Sequence, residues 1–383
     1  METCICDISA LRFWRTPPIV RLLTAGDEEM LRGAMAPDDL VSLRAELLET
    51  LPLCGLFQSG PQWRKAGGSA AEIKKVFLAF AACFDGPVDV LVRDRKDARP
   101  SKLIRPHLWS GDLPFGSFVQ VTDGISVASP ELALQQVAAR SSWIKTLMIA
   151  SELCGSFSVY KAPAPIERRL QKILASNTGR QRLNGWSPCF EGAELSSLWN
   201  RAPLTDPQTL KGFAEETTQR NGREKLRLAA ELVTPGAASP LEVQTALLLG
   251  LPRRRGGKGL GGFEHNAKVT LSPNAQLLAQ RNHCYCDLFW EDADLDVECQ
   301  SKMIHDNEES LISDFDRAAA LEQMGIRVLF ASHDMLGSRG RFDAFAMLVA
   351  ERLGRRLKPE TEKERRATTQ LRAELLVDWA KLI

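Results

Sequence analysis

The stretch Tyr285-Cys286-Asp287-Leu288-Phe289-Trp290, then Glu291 to Asp294, then Leu295-Asp296-Val297-Glu298-Cys299-Gln300, sets carboxylates at spacings that can do chemistry. Two apolar, alternating runs joined by a short acidic turn predict a β-hairpin. With a loop of two residues or of four, Asp287 falls directly opposite Glu298. Alternation then sets Glu298 and Gln300 on one face and Leu295, Val297 and Cys299 on the other. Two carboxylates paired across strands repel each other unless something compensates. A divalent cation held through oxygen does so, and oxygen ligation favours Mg2+ or Mn2+ over zinc. The same pattern also reads as the wet side of an amphipathic edge strand, with Asp294, Asp296 and Glu298 facing water. A third carboxylate, Glu242, lies in Ser239-Pro240-Leu241-Glu242, ahead of the apolar run Ala246 to Leu249. Its local part there is N3 of a capping box with Ser239.

Other groups compete for attention. Arg253-Arg254-Arg255-Gly256-Gly257-Lys258-Gly259 is the densest basic patch near these acids. It suits phosphate steering, or is a solvated flexible loop; it is no nucleotide P-loop, because Gly-Lys is not followed by Ser or Thr. His283, Cys284, Cys286, Cys299 and His305 are metal-ligand types. Alternation, however, puts Cys284 and Cys286 beside Leu288 and Trp290, away from Asp287, which makes them packing thiols.

These residues need elements to hold them. The chain has 383 residues, 44% hydrophobic and 25% charged, with a net charge of +1. At ~150 residues per domain this is a folded chain of two to three domains, and any nucleic-acid binding must come from local patches. Helical spacing is predicted for 37–51 and 70–83, strands for 88–92, 104–109 and 117–121, and a helix opening at Ser129-Pro130-Glu131. Pro106 assigns the second of these strands to an edge. Residues 1–150 thus read as an α+β domain and 151–235 as a helical connector. Residues 236–354 read as a compact α/β domain of helix, basic loop, two adjacent strands, helix, strand and helix. A terminal helix fills 355–383, with Leu371, Leu375, Leu376 and Trp379 on one side. The longest apolar stretch, Val76 to Phe84, is far shorter than the ~20 residues of a membrane span. With no secretory signal pattern and nine cysteines scattered through apolar segments, the expected compartment is the cytoplasm.

The order of the C-terminal motifs carries a resemblance. Ser239-Pro240-Leu241-Glu242, Asp287-Leu288-Phe289-Trp290, Glu298-Cys299-Gln300, His305, Asp316-Arg317 and Gly325-Ile326-Arg327-Val328-Leu329 follow one another as in a known pattern. From about Ser239 to Arg352 the chain resembles the very-short-patch-repair-endonuclease-like group of the PD-(D/E)XK nuclease superfamily. The resemblance implies a restriction-endonuclease-like sheet flanked by helices and Mg2+-dependent (or Mn2+-dependent) phosphodiester hydrolysis. Asp287, Glu298 and Glu242 would be the metal ligands, and DNA the partner. The basic residue that the pattern has two positions after the glutamate is Gln300 here, and Lys302 shares its strand parity. Gln300, Lys302 and His305 are then the catalytic candidates. Arg253, Arg254, Arg255, Lys258 and Arg317 are the candidates for contacting nucleic acid.

The N-terminal part carries a second resemblance. Cys6-Asp7-Ile8-Ser9-Ala10-Leu11 and the run from Asp123 to Leu134 are similar to AbiEi-type antitoxin and regulator proteins. That implies phage defence or a toxin–antitoxin setting, with a toxin as partner protein. The alternative to an endonuclease is a DNA-binding transcriptional regulator or antitoxin without catalysis.

Overall fold

A computed structural model describes residues 3–25, 83–84, 86–100, 104–122, 124–175, 185–192, 194–300 and 308–383. The helices expected at 37–51 and 70–83 lie outside these residues, apart from Cys83, which is in a turn. The described residues are mixed α/β and form three sheets. The first comes from β1 (Thr3–Ile5), α1 (Asp7–Arg15), α2 (Pro18–Ala25), β2 (Val88–Val92), β3 (Ile104–Leu108), β4 (Phe118–Thr122) and β5 (Ile125–Ala128). Its strand order is β3-β2-β1-β5-β4, so Pro106 does lie in an edge strand. Two helices follow, α3 (Pro130–Ala138) and α4 (Trp143–Leu153). Ser129 and Ser142 cap them, and α3 is buried all round. Helix α4 runs straight through the boundary expected at 150, which therefore falls inside an element.

The segment expected as a helical connector contains a sheet as well. It holds β6 (Phe157–Val159), α5 (Ala164–Ala175), β7 (Ser187–Glu191), β8 (Glu194–Asn200), α6 (Pro207–Glu216) and α7 (Arg223–Leu232), with strand order β6-β8-β7. Most of β7 and β8 is half-buried on both faces. A strand without one wet and one dry face has no period-two signal to read.

The rest is α8 (Pro240–Gly250), β9 (Glu264–Thr270), α9 (Pro273–Ala279), β10 (His283–Trp290), β11 (Leu295–Gln300), α10 (Glu308–Gln323), β12 (Arg327–Ser332), α11 (His333–Gly337), α12 (Arg339–Arg352) and α13 (Glu362–Leu375). The sheet order is β12-β11-β10-β9; β9, β10 and β11 form an antiparallel meander, and α10 crosses over to β12, parallel to β11. The expectation of two adjacent strands missed β9, a polar edge strand. Helix α8 is apolar and buried from Leu241 to Leu249, as befits a central helix. One apolar cluster runs from Ile5 to Leu382 through all three sheet regions, and a smaller one lies beneath α9 and α10.

Candidate functional site

The hairpin forms around a four-residue connection, Glu291 to Asp294, with Asp294 in the left-handed region. Its pairs Leu288↔Val297, Phe289↔Asp296 and Trp290↔Leu295 carry the expected register. One rung further, at Asp287 and Glu298, the ladder stops. The Cys299 amide donates to Asp287 Oδ2 at 2.7 Å, so a side chain takes the place of a strand bond. On the other side the β9–β10 pairing skips Asn266, whose φ is +50°, a conformation Asn tolerates. The kink breaks the alternation. Cys284 and Cys286 pack in the small cluster under α9 and α10, while Leu288 and Trp290 join the main core. The two cysteines are packing thiols as expected, but not on the face of Leu288 and Trp290.

The kink brings three elements together. The N-terminus of α8 supplies Glu242, fixed by its cap: Ser239 Oγ accepts from the Glu242 amide at 3.2 Å. The Glu242 carboxylate accepts from the Ala238 amide and from Asn266 Nδ2, both at 2.7 Å. It thus reaches one residue beyond the capping-box partner and is tied to the kink as well. Asp287 comes from β10 and Glu298 from β11. All three, with Gln300 and Arg317, line one cavity of about 900 Å3. His265, buried in β9, donates through Nδ1 to the Asp287 carbonyl at 3.1 Å. Burial holds its imidazole neutral, with the pKa lowered to about 4.

The electrostatics are unbalanced. Glu298 is 3% exposed and Asp296 is 0% exposed, so the wet-edge reading fails for both: β11 is an interior strand of its sheet. Arg317 Nη2 donates to Glu298 Oε2 at 2.6 Å. No backbone amide or basic side chain donates to Glu298 Oε1 or to either oxygen of Asp296; the two carboxyls hydrogen-bond each other, and the Cys286 thiol bonds Asp296. Burial, then Asp287, pushes Glu242 up to about 8. Burial, then Asp287 and Asp296, raises Glu298 strongly. Four carboxylates thus share this corner with one arginine, and two of them, Asp296 and Glu298, hydrogen-bond each other in place of a cationic partner for Asp296. Buried oxygens of this kind suit a hard divalent cation, whose charge would favour the ionised carboxylates that burial opposes. The carboxylates do not, however, gather three at a time within 4.8 Å of one another.

That spacing is found elsewhere. Asp7, Asp89 and His107 bring one ligand atom each within 4.8 Å, and among the described residues no other such group does. Such a triad can hold a metal in principle. Its groups are already engaged: Asp7 pairs with Arg140, and Asp89 accepts from Ser9 Oγ at 2.8 Å and bonds His107 Nε2 at 2.7 Å. Arg105 lies 3.4 Å from Asp89. Spacing and charge therefore point to different places, the filled triad and the underfilled corner.

Arg253, Arg254, Arg255 and Lys258 do not line the cavity. Arg253 makes a two-pronged pair with Glu364 at 3.0 and 2.9 Å. Lys258 pairs with Asp343 and Glu360 at 2.7 and 2.9 Å, and Arg255 lies over the Trp143 ring. Arg254 is exposed. Three of these four expected phosphate contacts are thus engaged within the protein, Arg253 and Lys258 in docking α13 and the segment before it. Lys302 and His305 lie outside the described residues. Reasoning from sequence passed over the tie from Asn266 to Glu242 and the pairing of Arg317 with Glu298; the one available signal was an Asp-Arg pair on a helix. Compared with known proteins, the chain matches no family model, no curated protein and no solved structure.

Proposed function

We propose that the chain is a divalent-cation-dependent endonuclease that hydrolyses phosphodiester bonds at the corner of Glu242, Asp287 and Glu298. The observation that carries this reading is the set of carboxylates from three elements on one cavity, Glu242 and Glu298 buried and Asp287 half-buried, with a single arginine among them. The electrostatics support a cation there; the present spacing alone does not. The element order also supports the reading: a helix with Ser-Pro-x-Glu, a strand with Asp, a strand with Glu, a helix with Asp-Arg and a parallel strand follow the order that the PD-(D/E)XK resemblance implies. Mg2+ or Mn2+, when bound, polarises the phosphodiester and lowers the pKa of the attacking water. Asp287, Glu298 and Glu242 would hold the ion, and the Gln300 amide, on the same cavity, would orient the water. Arg317 would place positive charge beside the reacting phosphate.

One observation favours a second reading, a non-catalytic regulator or antitoxin that binds nucleic acid: Gln300 is neutral where the resemblance implies a basic residue. The two readings separate on cleavage of single- and double-stranded DNA and RNA in Mg2+ or Mn2+, comparing wild type with Asp287→Asn and Glu298→Gln. Metal-dependent products from wild type, reduced at least about a hundredfold in both variants, are expected for an essential metal ligand. No cleavage of any substrate, or equal cleavage by all three proteins, rejects the nuclease.

A further inference from the structure

We propose that Asp7, Asp89 and His107 form a second metal site, which takes a zinc-class first-row cation and is independent of the acidic corner. Three elements supply it: the start of α1, β2 and the edge strand β3. In the parallel register Asp89 pairs with Arg105 and Leu91 with His107, so alternation sets Asp89 and His107 on the same face of the sheet. The three ligand atoms lie within 4.8 Å of one another. His107 Nδ1 is 3.6 Å from Asp7 Oδ2, close to the ~3.4 Å that separates two ligands around a tetrahedral ion. The two aspartates are also oriented from behind, as metal-binding carboxylates are. Ser9 Oγ donates to Asp89 Oδ2 at 2.8 Å, which leaves Oδ1 toward the imidazole, and the Asp7 amide donates to Gln136 Oε1 at 2.9 Å.

The present partners of the two aspartates are exchangeable. The Asp7 and Asp89 side chains are 1% and 2% exposed and cannot turn to water, so they need positive charge beside them whatever supplies it. That charge now comes from Arg140 on Asp7 and from Arg105, 3.4 Å from Asp89. Both arginine side chains are about half exposed, at 46% and 55%, and can swing into solvent, because half-exposed ion pairs are weak. A divalent ion carries the charge of both arginines, so the exchange keeps the buried charge balanced. His107, 24% exposed, gives up its bond to Asp89 for one to the metal and leaves one side of the ion open to water. One imidazole and two carboxylates suit a first-row ion such as Zn2+, whereas Mg2+ prefers an octahedron of oxygens. The corner of Glu242, Asp287 and Glu298 offers oxygen alone. Bound at the triad, the ion clips the first helix to the edge of its sheet.

The test is titration of the chelator-treated chain with Co2+ near neutral pH, read by its visible absorption, followed by Zn2+ as competitor. The chain carries Asp287→Asn and Glu298→Gln, so that the corner does not compete; the unaltered chain in excess Mg2+, which fills the corner, repeats the measurement without relying on those substitutions. One Co2+ per chain should bind, and Zn2+ should displace it. His107→Ala should weaken Co2+ binding at least about tenfold, or 1.4 kcal/mol. Arg140→Met removes a competing cation and should tighten binding several-fold, a gain that misfolding cannot mimic. Zn2+ should also raise the unfolding midpoint more in this variant than in its parent. No Co2+ uptake, uptake that His107→Ala leaves unchanged, or an Arg140→Met variant that binds no tighter than its parent overturns the inference. With the corner disabled or filled throughout, none of these outcomes depends on whether the chain cuts nucleic acid.

Discussion

Asp296 shows most directly what the acidic corner does to stability. It is fully buried, no backbone amide or basic side chain donates to either oxygen, and the groups that hydrogen-bond it are the Glu298 carboxyl and the Cys286 thiol. Burial, partly opposed by Glu298, raises its pKa from 3.8 to about 7. Between those values the unfolded chain has released a proton that the folded chain keeps, so stability falls as pH rises. Above about pH 7 the folded state must carry the buried charge. Asp296→Asn removes that burden, so the variant should be more stable than wild type at pH 8 by on the order of 2 kcal/mol. The gain should fade toward pH 4, where both carboxyls hold their protons. Urea unfolding of both proteins at the two pH values decides; a variant no more stable at pH 8 would show that the corner is already neutralised by other means. A residue kept at such a cost is what a binding site looks like before its ligand is considered.

At the scale of elements, the glycine-rich loop after α8 is the clearest case of chemistry read into packing. Gly256 has φ +93°, and a Cβ there would lie 2.5 Å from the Ala367 carbonyl oxygen of α13. A Cβ on Gly257 would lie 2.2 Å from the Leu251 carbonyl oxygen. These glycines let the loop close onto the terminal helix, and Arg253 and Lys258 then lock it. Gly256→Ala should cost about 1–3 kcal/mol through backbone strain and displacement of α13. Arg253→Ala should lower the unfolding midpoint and leave nucleic-acid affinity unchanged; a loss of affinity without a loss of stability would restore the phosphate-binding role. The sequence shows Arg and Gly but not their partners, which lie about a hundred positions downstream. The hairpin was legible because its register depends only on local alternation and loop length. The kink at Asp287 was not, because it depends on Asn266 in a neighbouring strand too polar to be recognised as one. The Ser239 cap was legible because it lies within four residues, whereas the tie from Asn266 to Glu242 spans most of α8 and the loop that follows it.

Over the whole molecule, the separate segments suggested by composition share one core. Leu11 and Phe13 of α1, Leu147 and Ile149 of α4, Leu247 of α8, Val297 of β11 and Leu375 of α13 belong to the same buried cluster. Polar groups cross it too. Arg15 of α1 pairs with Glu152 of α4, with side chains 8% and 2% exposed, and donates to the Trp379 carbonyl at 3.2 Å. Glu152 Oε1 also accepts from the Val159 amide at 3.2 Å. One arginine thus joins the first sheet, the middle sheet and the tail that walls the candidate site. Removing one partner of a buried pair leaves a charge without compensation and costs about 3–5 kcal/mol. Arg15→Met should therefore destabilise by that amount, and because the core is shared the loss should fall on the whole chain. Denaturant unfolding followed by tryptophan fluorescence and by far-ultraviolet circular dichroism should give one coincident transition, shifted to lower denaturant in the variant. Two separated transitions, with only the first moved by Arg15→Met, would instead show that the N-terminal sheet and the acidic corner unfold as independent units.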